Sequence, residues 1–262
     1  MSEREIITSR DNAKLKFARS VRDGREDGQI FIEGVRLVRE AVRSHTSIRS
    51  AFVSTSFSNE PAEILDTTRI EVIKVAEKAF ASIADTENSQ GIVLIADRPQ
   101  SSLDNLGRSG PVVLIHQVNN PSNLGALVRT AEAAGASGLI TTNGSADAFS
   151  PKALRASMGS AFRLPIVERV DLSEAIEWAR SHGLVTTAAD ISGAANYTDV
   201  DWTVPRLLVF GSEAHGLGER ELELIDENIL IPMENEVESL NLAVSAGIVL
   251  FEAKRQRDAR FT

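Results

Sequence analysis

Between residues 112 and 231 this chain repeats one local grammar: a short run that reads as a strand, continuously apolar at 112–116, then a stretch with helical periodicity, then another strand-like run. The runs lie at 112–116, 138–142, 164–167, 184–188, 206–210 and 229–231. A strand apolar on both sides has both faces covered, the condition of a parallel sheet with helices above and below it. The segments between them read as helices: 124–134 closed by Gly135, 151–157 opened by Pro151, 172–182 closed by Gly183, and 218–225. Residues 242–251 then form a run apolar almost all round, and such a helix is normally buried. Ser239 is a good N-cap for it.

The first hundred residues follow a different mixed pattern. Residues 1–22 read as a basic helical arm, in which Lys14, Lys16, Arg19 and Arg22 alternate with Leu15, Phe17 and Val21. Strands are expected at 30–32, 48–53, 70–75 and 91–96, and helices at 35–43, 61–65 and 77–83. In the first of these helices Val35, Leu37, Val38, Ala41 and Val42 make the apolar stripe. Residues 97–111, rich in Pro, Gly, Ser and Asp, read as a linker. The domain reading is therefore 1–98, a linker 99–110, and 111–262.

Composition excludes several chemistries. There is no cysteine, so disulfides, thiolate nucleophiles and cysteine metal sites are ruled out. The four histidines, His45, His116, His182 and His215, lack metal-ligand spacing. His116 reads as a packed residue and His215, in the GSEAHGL loop, as incidental. There is no G-x-G-x-x-G after a strand, no Walker P-loop and no G-x-S-x-G elbow. The charged start, without an apolar segment, and the lack of a membrane-length run predict a cytoplasmic chain. The net charge of -9 argues against nucleic acid on its face. Its distribution does not, because the acid concentrates at 213–238, where Arg220 is the lone base, while the first fifty residues carry an excess of Lys and Arg.

Parallel α/β sheets bind ligands at the carboxyl ends of their strands. Three loops of the second half sit at such ends: QVNNPSN at 117–123, GSEAHGL at 211–217, and the 232–241 loop ending in SLN. Each combines small residues, amides and a carboxylate or hydroxyl, which suits a pocket for a polar organic cofactor. With their helices, NPSNLGALVRTAEAAG, LLVFGSEAHGL and IPMENEVESLNLAVSAGIVLFEAKRQ resemble the three ordered motifs of the SpoU/TrmH family of RNA ribose 2′-O-methyltransferases, in the SPOUT superfamily. FIEGVRLVREAV and NSQGIVLIA resemble the ribosomal-protein-like RNA-binding domain that many members carry.

The resemblance implies an α/β chain with an N-terminal RNA-binding domain and a C-terminal trefoil-knot methyltransferase domain. It implies S-adenosylmethionine as cofactor, no metal, and a homodimer whose pocket is completed across the interface. The target would be RNA, with 23S rRNA favoured by the basic SRDNAKLKFAR start; tRNA, or a non-catalytic dimeric RNA-binding protein, are the alternatives. Catalytic positions would be Asn123, Arg129, Glu213, Ser239 and Asn241. Cofactor contacts would come from Gly211, Ile231 and Leu240, with Thr142, Gly216 and Met233 as further candidates. RNA contacts would come from Lys14, Lys16, Arg19, Arg22 and Arg163, with Arg25 and Ser157 nearby. Asn123 also reads as a possible N-cap of a helix starting at Leu124, and Ser239 and Asn241 as caps of the last helix. Arg129 is the family's proposed general base, yet arginine stays protonated in proteins, so a donor to developing negative charge is the second role open to it.

Overall fold

The computed structural model describes residues 6–58, 61–65, 70–212, 215–235 and 239–260. The chain forms two compact units, Met1–Pro99 with Phe149–Phe162, and Gln100–Ala148 with Arg163–Thr262. Among the described residues no helix is long and apolar enough to cross a membrane.

In the first unit β1 (Gln29–Glu33), β2 (Ile48–Ser54), β3 (Glu71–Val75) and β4 (Ile92–Asp97) form a sheet of order β1-β4-β2-β3. β4 runs antiparallel to β1 and β2, and β2 parallel to β3. Helix α1 (Ala13–Arg22) buries Leu15, Ala18 and Val21 against Phe31, Phe52, Ile73 and Ile95. Helix α2 (Val35–Arg43) buries Leu37, Val38 and Ala41, the centre of the expected stripe. α3 (Glu77–Phe80) is shorter than its periodicity predicts. The arm is only partly helical: α1 starts at Ala13, where Asn12 accepts from the Lys14 N–H, and upstream Ile7 pairs with Val75 as a parallel bridge. Among the described residues the one carboxylate buried here, Glu33, accepts from the Asp85 and Thr86 N–H groups and the Thr86 hydroxyl, which offsets its desolvation.

Nothing in the sequence signals that Phe149–Phe162, with α5 (Pro151–Ser157), groups with this first unit. Arg155 pairs with Asp85 at 2.5 Å, and the Arg98 guanidinium lies 4.9 Å from the Phe149 ring centroid. A Cβ on Gly159, at φ +96°, would stand 2.6 Å from the Glu40 Cβ, so a side chain there forces Glu40 aside.

The second unit holds β5 (Val112–Ile115), β6 (Gly138–Thr142), β7 (Ile166–Val170), β8 (Val185–Ala189), β9 (Ala195–Asn196), β10 (Arg206–Phe210) and β11 (Glu227–Leu230). The order is β7-β6-β5-β10-β8-β11-β9, and every neighbouring pair is parallel, as the two-sided apolar runs require. Its helices are α4 (Pro121–Ala133), α6 (Leu172–Ser181), α7 (Glu219–Leu222) and α8 (Leu242–Ala259). The second half of the expected linker is built into this unit: Leu106 is buried in its core, and a Cβ on Gly110 would lie 2.0 Å from the Gly135 carbonyl oxygen.

Two expectations about helix ends are corrected. α4 begins at Pro121 and is capped by Asn120, which accepts from the Ser122 N–H at 3.0 Å, so Asn123 is not a cap. Proline pre-sets the first helical position, which moves the start three residues upstream of Leu124. α8 is capped by Asn241, through the Ala243 and Val244 N–H groups, and not by Ser239. Burial of α8 on every side is also corrected. Ala246, Val249, Leu250 and Ala253 are buried and α8 packs on α4, but Val244 is 51% and Phe251 50% exposed.

Candidate active site

Three strand ends and two helix starts of the second unit build one pocket. β10 delivers Gly211, which must be glycine: a Cβ there would lie 2.2 Å from the Gly216 carbonyl carbon. Ser212 and Gly216 exchange backbone hydrogen bonds of 3.0 and 2.9 Å, closing a tight loop in which Gly216 takes φ +64°. β11 delivers Ile231 and Met233, and the chain returns at Ser239 and Leu240 into α8. At its start, Asn241 uses its side-chain oxygen as the cap, so its amide nitrogen is the donor toward Asn123 Oδ1, 3.5 Å away. β8 delivers Asp190, whose Oδ1 accepts from the Ser192 N–H and hydroxyl at 2.8 and 2.6 Å.

The pocket holds about 680 Å³. It brings together Asn123, Gly211, Gly216, Ile231, Met233, Ser239, Leu240 and Asn241, residues predicted from three segments far apart in sequence. Phe210, Leu240 and Ile231 give it apolar walls, while Ser239, Asn241, Asn123 and Asp190 supply polar groups, the mixture that fits a polar organic cofactor. His215 lines it as well. Among the described residues no group of His, Asp or Glu is arranged to hold a metal ion.

Other predicted residues lie elsewhere. Thr142, at the end of β6, borders a different hollow with His116, Gln117, Asn143, Asp171 and Arg220. Its hydroxyl accepts from the Gln117 N–H and stands 3.1 Å from His116 Nδ1. His116 is half-buried; burial lowers its pKa, and the nearby Glu221 charge opposes the shift. Arg129 is exposed on α4 and is not a lining residue. Glu213 lies outside the described residues.

The expected RNA contacts divide in two. Lys16 is exposed. Lys14 pairs with Glu71 at 2.5 Å and Arg25 with Asp23 at 2.6 Å. Arg19 donates to Ser82 Oγ and the Arg10 carbonyl, and Arg22 to the carbonyls of Ser82, Ile83 and Ala84, so both guanidiniums staple the unit. Arg163 forks onto Glu132 at 2.5 and 2.9 Å, and Ser157 is buried, donating to the Leu154 carbonyl.

The residues that sequence reasoning missed are Asp190, Ile191, Phe210 and Ser245. The loop after β8 carried a usable signal: a DISG turn directly follows the strand, the same placement at a carboxyl end that singled out the other three loops.

An all-parallel sheet with a deep pocket over its carboxyl edge, walled by backbone loops and fixed amides, defines a protein that binds a polar organic cofactor. Residues 110–251 match the SpoU rRNA Methylase family, and residues 12–94 the MRM3-like substrate binding domain. The chain is 30% identical to the 23S rRNA (guanosine(2553)-2'-O)-methyltransferase RlmP of Bacillus subtilis, over 95% of this chain and 98% of the relative. It is 32% identical to the 23S rRNA (uridine(2479)-2'-O)-methyltransferase of Streptomyces viridochromogenes, over 96% of this chain and 92% of that one. The crystal structure of the SpoU methyltransferase AviRb from Streptomyces viridochromogenes with AdoMet is similar at a TM-score of 0.87 and 30% identity, covering 95% of this chain and 99% of that chain. This chain belongs to the SpoU rRNA methylase family of RNA methyltransferases.

Proposed function

We propose that the chain transfers a methyl group from S-adenosylmethionine to a ribose 2′-hydroxyl of RNA, with 23S rRNA as the target. The observation that carries this is the convergence of the three segments on one pocket of about 680 Å³, large enough for the cofactor and lined by both apolar walls and fixed amides. Two 23S rRNA methyltransferases resemble the chain over nearly its whole length, its N-terminal unit included, which favours rRNA over tRNA. A cytoplasmic location belongs to the same reading. Domain limits of 1–98 and 111–262, drawn from the composition of the stretch between them, and a trefoil knot in the second domain, which rests on family membership, belong to the same reading.

When bound, S-adenosylmethionine supplies a methyl group already activated by the adjacent sulfonium charge, so the chain has to align and deprotonate rather than polarise. Gly211 and Gly216 let backbone approach closely, Leu240 and Ile231 pack apolar surface, and the Asn241–Asn123 pair offers fixed polar atoms at the pocket wall. Alignment of hydroxyl and methyl supplies much of the rate in such a reaction. Arg129 completes the reading as a donor to the developing alkoxide or an adjacent phosphate. It lies six residues beyond Asn123, about 9 Å along α4 and on another side of the helix. We therefore place it in the pocket of a second copy. The exposed Val244 and Phe251 on α8, the helix that packs on α4, supply apolar surface for that homodimer.

Calorimetry with S-adenosylhomocysteine in chelator tests the cofactor, and mass-spectrometric mapping of ribose methylation in 23S rRNA from a deletion strain tests the substrate. One site per chain and a missing 2′-O-methyl group are the expected results. A requirement for a divalent ion in binding, or an unchanged rRNA, overturns the corresponding half.

A further inference from the structure

We infer that Asp190 is a specificity residue of the cofactor pocket and takes the ribose diol of S-adenosylmethionine; the inference rests on the cofactor reading above. Among the described lining residues Asp190 is the only carboxylate. It stands on the loop after β8, between the loops of β10 and β11, outside the three motifs singled out in the sequence.

The carboxylate is held before any ligand arrives. Its backbone N–H donates to the Ile229 carbonyl at 2.9 Å, and its carbonyl accepts from Gly193 at 3.1 Å. Gly193 is itself pressed onto β11: a Cβ there would lie 2.2 Å from the Ile229 carbonyl carbon. Oδ1 is occupied by both Ser192 donors. Oδ2 points toward the glycine loop, 3.4 Å from where a Gly216 Cβ would stand, and both side-chain hydrogen bonds made with described residues fall on Oδ1. A carboxylate only accepts, so its ligand must present donors.

S-adenosylmethionine has three kinds of donor: the adenine amino group, the ribose hydroxyls and the tail ammonium. Ile191 selects among them. It lines the pocket directly beside Asp190 and is 70% exposed, bare apolar surface at the rim that a planar base can cover. With adenine on Ile191, the group one bond along is the ribose, which brings its two vicinal hydroxyls to Oδ2. A single acceptor oxygen serves both, and the neighbouring glycine leaves room for the sugar.

The test is a binding cycle on the full chain, with parent, Asp190→Ala and Asp190→Asn titrated against three ligands. These are S-adenosylhomocysteine, 5′-methylthioadenosine, which lacks the amino-acid tail, and its 2′,3′-dideoxy analogue, which lacks the diol. Asp190→Ala should weaken the first two equally, by about ten- to a hundredfold, the worth of a hydrogen bond to a charged group. Losing the diol should cost the parent a similar factor and cost Asp190→Ala nothing, with Asp190→Asn between them and melting temperatures within a degree or two. A variant that still discriminates against the dideoxy ligand as the parent does overturns the assignment. So does a loss confined to S-adenosylhomocysteine, which would put the ammonium on Oδ2. A parent that binds none of the three ligands overturns the cofactor reading and this assignment with it, whereas a binding parent with unchanged variants overturns this assignment alone.

Discussion

Asn241 and Asn123 are 118 residues apart, and the Asn241 amide nitrogen lies 3.5 Å from the Asn123 side-chain oxygen. Because Asn241 uses its own oxygen to cap α8, its orientation is fixed. The contact ties the starts of α4 and α8 together at the pocket wall. Substitutions separate its two duties. Asn241→Asp keeps the cap and loses the donor, so the melting temperature should hold while turnover falls at least tenfold. Asn241→Ala loses both, with a further stability cost of about 1 kcal/mol by thermal denaturation.

Arg129→Ala should lower turnover by a hundredfold or more while S-adenosylhomocysteine affinity stays at the parent value. Lysine keeps the charge without the planar fork and should fail nearly as badly if the role is to hold a phosphate or alkoxide. Mixing Arg129→Ala with Asn241→Ala chains checks the cross-subunit placement. In a twofold dimer hybrids regenerate one intact pocket, so methylation should recover to about a quarter of the parent rate. No recovery, with hybrids formed, means the arginine acts within its own chain.

Val244 and Phe251 sit two turns apart on one face of α8, both about half exposed. Phe251→Glu should convert a dimer to a monomer in sedimentation and abolish methylation, because it places a charge in an apolar contact. A dimer that survives both Phe251→Glu and Val244→Glu would put the interface elsewhere.

Lys16 and Arg22 should behave as opposites. Lys16→Ala leaves the fold untouched and should weaken RNA binding with a shallower salt dependence. Arg22→Ala strips three carbonyls at 82–84 of their donor and should lower the melting temperature before it alters the salt slope.

Asp226 fastens β11 to β8. Burial raises its pKa, but hydrogen bonds from the Thr186 hydroxyl, Arg180 and the Thr186 N–H outweigh that and hold it below the usual carboxylate range. The folded chain therefore binds the proton more weakly than the unfolded one. This contribution is fully present above about pH 4 and is lost as pH falls through the lower, folded value. Acid titration of the melting temperature should show a steeper fall for the parent than for Asp226→Asn, which should start lower at neutral pH.

Periodicity and glycine placement carried most of the fold, because parallel strands buried on both sides leave an unambiguous mark. Residues 35–43, 138–142, 151–157 and 206–210 match the observed elements at both ends. What stayed hidden depends on contacts between distant residues. The two-residue β9 is polar and exists only by pairing with β11. The anchoring of Arg19 and Arg22 stayed hidden because the Ser82 hydroxyl and the 82–84 carbonyls that they bind lie some sixty residues away. Asp190 escaped notice because a lone acid after a strand is unremarkable until Gly193 and Ser192 are seen to lock it. The excursion of Phe149–Phe162 follows from Asp85 and Glu40, which no local pattern links to it.

The sheet order has a consequence for synthesis. β10 lies between β5 and β8, yet it is translated after both, so these two hydrophobic strands emerge with their future neighbour still unmade. Parallel pairing supplies no hairpin to shield them in the meantime. For the span between Ala189 and Arg206 the nascent chain carries two open edges, and closure waits on a late insertion at the middle of the sheet. Slow, non-local folding of this kind exposes a chain to aggregation. Soluble yield should therefore depend on chaperone supply and growth temperature more steeply than the stability of the finished protein suggests.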